Sequence, residues 1–312
     1  SGWNNDWNVS NCPVVWGYCN HDLVSHKGKE ATCLEDGYKA YVTCDRCDYS
    51  TFEVIEALGH DITEYDEKSA TCTELGYNKH EKCNRCDYST HKTIDYLDCI
   101  YESNRCIWCN CTEGVIYNVS YDSNTNEKYA YVSAYVGNDV NVKIKSSYKG
   151  YPVKEIADQA FLGSTLLRTI EIPDSVKIIG DAAFSGCEAL RTIKIPNSVE
   201  SIGIEAFMCC ESLMRVELSE NLIIIKDYAF SDCDSLKSIV IPDSVTSIGK
   251  EAFYNCRLLE SVTLGKGIKS IAKRAFYHYV KEVYYTGTVE DWCNISFSYS
   301  NSTPMYCADN FY

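Results

Sequence analysis

The chain has 312 residues, 19 of them Cys and 25 Tyr, and its Lys, Arg, Asp and Glu sum to a net charge of −15. An apolar fraction of 45% is too high for a disordered chain, and no run approaches the ~18 apolar residues of a membrane-spanning helix. The acidic balance also argues against a nucleic-acid or anionic-membrane binder, which needs a basic face. The Cys count is odd, so disulfides alone cannot use every thiol. The chain opens on Ser1-Gly2 without Met, which reads as a processed product or part of a larger polypeptide.

Residues 1–111 hold twelve of the Cys, and residues 1–115 carry twenty acidic against ten basic residues. This segment repeats with a period of 39. His21 corresponds to His60, Cys33 to Cys72, and Cys44-x-x-Cys47 to Cys83-x-x-Cys86. Both copies carry A-T-C followed by Gly-Tyr (Gly37-Tyr38, Gly76-Tyr77). In a third, degenerate copy Cys99 takes the place of His, followed by Cys106-x-x-Cys109 and Cys111. A C-x-x-C turn brings two thiolates to one ion, and four Cys or His ligands close a structural zinc site. A disulfide framework is the alternative in a secreted chain. It gives no reason to keep a His in register with three Cys, so structural zinc is the expectation.

Two groupings of ligands fit the period. One stays within a copy: His21, Cys33, Cys44 and Cys47; then His60, Cys72, Cys83 and Cys86; then Cys99, Cys106, Cys109 and Cys111. The other crosses the border, taking Cys33, Cys44, Cys47 and His60. The within-copy grouping is preferred because it accounts for three sites and leaves over only Cys12 and Cys19, as a possible disulfide.

Residues 112–150 are Tyr- and Val-rich with alternation and turn residues, which predicts two or three strands. They precede a second repeat. Phe161, Phe184, Phe207, Phe230, Phe253 and Phe276 stand 23 residues apart, each after an Ala. Cys187, Cys210, Cys233 and Cys256 keep the step, as do Leu167, Leu190, Leu213, Leu236 and Leu259. A unit this short cannot bury its own apolar face, so neighbours must stack into a continuous core. The L-x-x-I-x-I piece predicts a strand ended by Pro173, Pro196 or Pro242. The V-x-x-I piece predicts a second strand, and the A-F-x-x-C piece a helical turn. The four Cys are expected to be buried packing residues.

The unit I-P-D-S-V-T-S-I-G-K-E-A-F-Y-N-C at 241–256 resembles the BspA-like (Treponema pallidum-type) leucine-rich repeats of bacterial and some protist surface proteins, over about residues 112–312. The Cys/His copies resemble repeats found beside such arrays in secreted proteins of gut Firmicutes. The resemblance implies a mainly β leucine-rich-repeat solenoid of about six repeats with short helical turns and capping strands, preceded by zinc-ribbon-like repeats. The domains are then 1–111, a cap at 112–150, repeats at 151–285 and a C-terminal cap at 286–312.

No nucleophile elbow, phosphate loop, zinc-protease helix or dinucleotide fingerprint is present. The expected function is therefore recognition and not catalysis. Exposed positions of the first strand form ladders, among them Arg168, Arg191, Met214 and Lys237, with Arg215 beside them. On the second strand Ile178, Ile223 and Ile224 replace polar residues. These eight are the candidate binding residues. By resemblance the chain is an adhesin-like secreted or cell-surface protein with an extracellular protein or glycan ligand, no nucleic-acid partner and no membrane insertion. An accessory region of a larger surface hydrolase or peptidase, and a structural stalk or surface layer, are the alternatives.

Overall fold

The computed structural model describes residues 22–277, 280–298 and 310–312. Two compact units result. One comprises residues 1–69 and 76–94, the other 70–75 and 95–312. By compactness the division falls near residue 95.

The first unit is two copies of a small antiparallel pattern. Leu23–His26 pairs with Tyr41–Cys44, which pairs with Cys47–Ser50. In the next copy Ile62–Tyr65 pairs with His80–Cys83. Short pairs close each copy, Gly37–Tyr38 with Val54–Ile55 and Gly76–Tyr77 with Thr93–Ile94. Rings cluster beside the strands: His26 stacks on Tyr41 and Tyr65 on the buried His80. Among its described residues, the only buried apolar side chains are the thiols of Cys33, Cys44 and Cys83. So small a domain has almost no conventional core.

The second unit is the solenoid. A hairpin of Val115–Tyr121 and Lys128–Tyr135 opens it. The second of these strands pairs in parallel with Tyr151–Ile156, and six further parallel rungs follow, Ile178–Ile179 through Ser296–Phe297. The hairpin gives the sheet an antiparallel end in place of a bare parallel edge. A second row of short strands runs through Asn141–Lys143, Thr169–Glu171, Thr192–Lys194, Arg215–Glu217, Ser238–Ile241, Ser261–Leu264, Glu282–Tyr285 and Asn310–Phe311. In Thr192–Lys194 only the central Ile193 is buried, as strand alternation requires.

The A-F-x-x-C piece makes successive tight turns, not a helix. A residue two before each Phe has positive φ: Gln159, Ala182, Glu205, Tyr228, Glu251 and Arg274. The left-handed backbone there, which recurs two residues after the first five Phe at Gly163, Gly186, Cys209, Asp232 and Asn255, stops helix propagation. It also turns each Phe amide outward along the stack. Phe161, Phe184, Phe207, Phe230 and Phe253 each donate to the Ala carbonyl of the next repeat at 2.8 Å. The described residues contain one helix, Val289–Cys293, capped reciprocally by Thr288 and Asp291.

The Phe rings form one buried column with centroids 5.0 to 5.4 Å apart. Tyr135 of the cap stacks on its first member, Phe161, at 5.2 Å. The Cys ladder is buried beside it and is more than filler. Each thiol donates to a Phe carbonyl one repeat back, as from Cys233 to Phe207 at 3.3 Å and from Cys256 to Phe230 at 3.2 Å. Burial pushes the Cys187 and Cys256 thiols up to about 12, and Cys210 and Cys233 upward as well. Because the thiolate is the reactive form, these four should resist alkylation in the native chain while exposed Cys293 is modified. Peptide mass mapping after brief iodoacetamide treatment checks this.

Candidate metal centres and the repeat face

In both copies of A-T-C the Thr builds the turn that presents the Cys. The Thr32 hydroxyl accepts from the amides of Leu34 and Glu35, and Thr71 accepts from Thr73 and Glu74. The following Gly is a space requirement: a Cβ at Gly37 would stand 2.3 Å from the Ala31 nitrogen. The loop is then pinned forward along the chain. Leu58 donates its amide to the Thr32 carbonyl at 2.8 Å, and Leu97 to the Thr71 carbonyl at 3.0 Å. Cys33 is thereby delivered next to His60, and Cys72 next to Cys99.

The other two ligands of each centre come from a knuckle. Ile62 pairs with Cys83, so the segment containing His60 lies against Cys83-x-x-Cys86. The Arg85 amide donates to the Cys83 sulfur at 3.4 Å, and Arg46 does the same to Cys44. Such bonds favour the thiolate. In the second centre a two-residue pair, Tyr101–Glu102 with Arg105–Cys106, shortens the copy and places Cys106-x-x-Cys109 against Cys99.

Two groups of four result, Cys33, His60, Cys83 and Cys86, and Cys72, Cys99, Cys106 and Cys109, with all ligand atoms of a group within 4.8 Å of one another. The Cys33–Cys83 and Cys72–Cys106 sulfurs are each 3.7 Å apart, and Cys99–Cys109 4.0 Å. A tetrahedral ion about 2.3 Å from each sulfur sets sulfurs about 3.8 Å apart, whereas a disulfide needs about 2.05 Å. His60 Nδ1 lies 3.3 Å from the Cys86 sulfur, and its ring stacks on Tyr88. The donor sets thus fit a thiophilic divalent ion.

Burial pushes the Cys33 thiol up to about 11, aided by hydrogen bonds with Cys83 and Cys86. Burial also works against the Cys83 thiolate. The amides of Arg85 and Asp61 and the His60 ring outweigh it and hold Cys83 at about 6. Cys99 is held at about 4, first by the thiol hydrogen bond from Cys111 and then by Lys145. These sulfurs share protons because they crowd one another, which is the condition an ion relieves.

The ligands therefore cross the copy border. Cys33 stands with His60, Cys83 and Cys86 and not with Cys44 and Cys47 of its own copy. Cys72 leaves the His60 group for Cys99, Cys106 and Cys109. Cys111 stands beside the second centre, 4.0 Å from the Cys99 sulfur, and is not one of the four. His21, Cys12, Cys19 and Cys307 lie outside the described residues.

On the repeat face, Arg168, Arg191, Met214, Arg215 and Lys237 are all exposed. Met214, Arg215 and Lys237 line one open groove of about 610 Å³ with Lys194, Glu217 and Val240. Arg215 is ion-paired with Glu217 at 2.7 Å. Ile178 and Ile224 lie on one exposed row of the long sheet with Ser201 between them, and Ile223 adjoins Ile224.

Stacked two-strand turns with a Phe column and an inward Leu/Ile set define a leucine-rich-repeat solenoid, a class typically used as a binding scaffold without catalysis. The chain belongs to the BspA-type leucine-rich repeat family. The BspA type leucine rich repeat region matches residues 154–283 in six copies. The leucine-rich repeat protein of T. pallidum is 30% identical, with 58% of this chain and 82% of that one covered and a TM-score of 0.51. A leucine rich cell surface protein from Faecalibacterium prausnitzii is 17% identical (66% and 99% covered, TM-score 0.32). The pneumococcal vaccine antigen PcpA is 22% identical (53% and 48% covered, TM-score 0.38). No curated protein matches the chain. No helix among the described residues is long and apolar enough to cross a membrane.

Proposed function

We propose that this chain is a secreted or cell-surface, adhesin-like binding protein, non-catalytic, that engages an extracellular protein or glycan through its repeat face, and that the Cys/His repeats are held by structural zinc. The observation that carries the reading is the groove lined by Met214, Arg215, Lys237 and Val240, where the solenoid aligns successive repeats into one exposed surface. Regular ladders on a rigid array suit the recognition of extended ligands, and exposed Met, Arg and aliphatic side chains suit a protein contact. Family membership supports it, since solenoids of this class generally serve as binding scaffolds.

The test is to probe host-protein and glycan arrays with the full chain. Binding is expected, weakened at least about tenfold by the pair Arg191→Glu and Lys237→Glu, since truncating or reversing a central contact commonly costs more than about 1.4 kcal/mol. Uniform absence of binding would overturn the proposal.

A further inference from the structure

Lys145 is the only buried Lys or Arg among the described residues. It follows the strand Asn141–Lys143, whose register places Val142 beside Ile170. Continued to the next positions, that register sets Lys145 where the later turns have Pro173, Pro196, Ser219, Pro242 and Gly265. The first turn alone puts a cation there. No carboxylate lies within ion-pair distance of its Nζ among the described residues, whereas seven other lysines of the solenoid have one.

What surrounds the ammonium is aromatic and sulfur. Nζ lies over the rings of Tyr117 and Tyr148, 5.2 and 5.3 Å from their centres. It faces the sulfurs of Cys99, Cys109 and Cys111, which favour its charged form against burial. The backbone is tied to the same place, with the Lys145 amide donating to the Tyr117 hydroxyl at 2.9 Å. The loop that carries the second centre is itself bonded to this first turn. Arg105 donates to the Asn141 carbonyl at 2.8 Å, the Thr112 amide to the Lys143 carbonyl at 3.0 Å, and the Lys143 amide to the Thr112 hydroxyl at 2.7 Å. Thr112 is fully buried in that contact.

We propose that Lys145 is the built-in counter-charge of the second metal centre, and that an ion bound by Cys72, Cys99, Cys106 and Cys109 makes this loop the N-terminal cap of the solenoid. Four thiolates around one divalent ion leave two negative charges in a buried place. A buried charge needs a partner, and the solenoid supplies one at the position where its other turns carry uncharged residues. The first centre has a neutral His among its ligands and carries one negative charge less. Lys145 is a positioning residue here, acting on the ligands and not on the ion. The inference rests on the metal reading above and extends it to the link between metal and solenoid.

The test uses the full chain titrated with cobalt(II), whose absorption differs between a four-thiolate and a three-thiolate, one-imidazole site. Lys145→Met should weaken the four-thiolate site about 10- to 100-fold, the range for loss of an outer partner, and leave the other site unchanged. Lys145→Arg should restore most of the affinity. In thermal unfolding, Lys145→Met should lower the solenoid midpoint more with the ion bound than after chelation, whereas a packing role would cost the same in both. Unchanged affinity in Lys145→Met, or an equal loss in Lys145→Arg, would overturn this inference while leaving the metal centres standing. Failure of the unaltered chain to take cobalt at either site would instead overturn the metal reading beneath it.

Discussion

Dialysis of the chain against a strong chelator at neutral pH will unfold the Cys/His unit and leave the central rungs of the solenoid folded. The reason is the composition of the unit's interior. Among its described residues the buried apolar side chains are Cys33, Cys44 and Cys83, and every ring but that of His80 is only partly covered. With so little apolar area removed from water, the core supplies little, while structural zinc supplies about 10–16 kcal/mol at neutral pH. Amide hydrogen exchange gives the readout. Protection at Tyr41–Cys44 and His80–Cys83 should disappear with the metal and return when zinc is restored. Protection around Ile193 and Ile239, inside the solenoid, should persist. Cys86→Ser, which removes a ligand of the one described centre in this unit, should reproduce the loss. Exchange rates in the first unit that do not respond to chelation would show that no ion at Cys33, His60, Cys83 and Cys86 holds this unit together. Acid acts in the same direction as the chelator, since thiol and imidazole ligands must be deprotonated to bind; the stability supplied by metal is present at neutral pH and lost as the pH falls.

The second large effect lies in the aromatic column. Phe207→Ala should destabilise the solenoid by about 3–5 kcal/mol, the usual cost of removing a buried Phe. Its ring is fully buried and stacks on Phe184 and on Phe230 at 5.2 Å each, within 4° of parallel. Relaxation is restricted because the backbone on both sides is held by the Phe-to-Ala amide ladder, so the cavity stays largely open. In a repeat array the loss falls on two interfaces at once. Phe276→Ala should cost less, because it closes the column and has a stacked neighbour on one side, Phe253. Denaturant unfolding of the two variants, compared at equal slope, decides this. Equal losses at the two positions would mean that stacking between repeats is not what the column contributes.

Much of this was legible from spacing. The 23-residue step of Ala-Phe, Cys and Leu determines a solenoid, because no single unit can cover its own apolar face. The 39-residue step of His and Cys points to metal-ligand chemistry, and the fold gathers two groups of four such side chains that could hold an ion. What spacing leaves open is the turn between strands: the A-F-x-x-C piece has helical residues, yet left-handed positions on both sides of the Phe break the helix and spend the Phe amide on the neighbouring repeat instead. The thiol bonds of Cys187, Cys210, Cys233 and Cys256 to Phe carbonyls were also out of reach, since residue type alone cannot separate packing from donation.

The ligand grouping shows the limit most clearly. A strict period makes every register of ligands equally periodic, so Cys33 fits the knuckle of its own copy and that of the next equally well. The Leu58 amide bonded to the Thr32 carbonyl decides it by pinning the Cys33 loop beside His60. Lys145 is a similar case. Nothing in the sequence around it points to metal, and only the fold sets its ammonium against Cys99. Sequence alone determined the repeats, their core residues and the kind of ligand chemistry, because these follow from local composition repeated at a fixed step. The tertiary structure decided which Cys and His side chains come together and which cation faces them, because both depend on backbone hydrogen bonds between segments far apart in the chain.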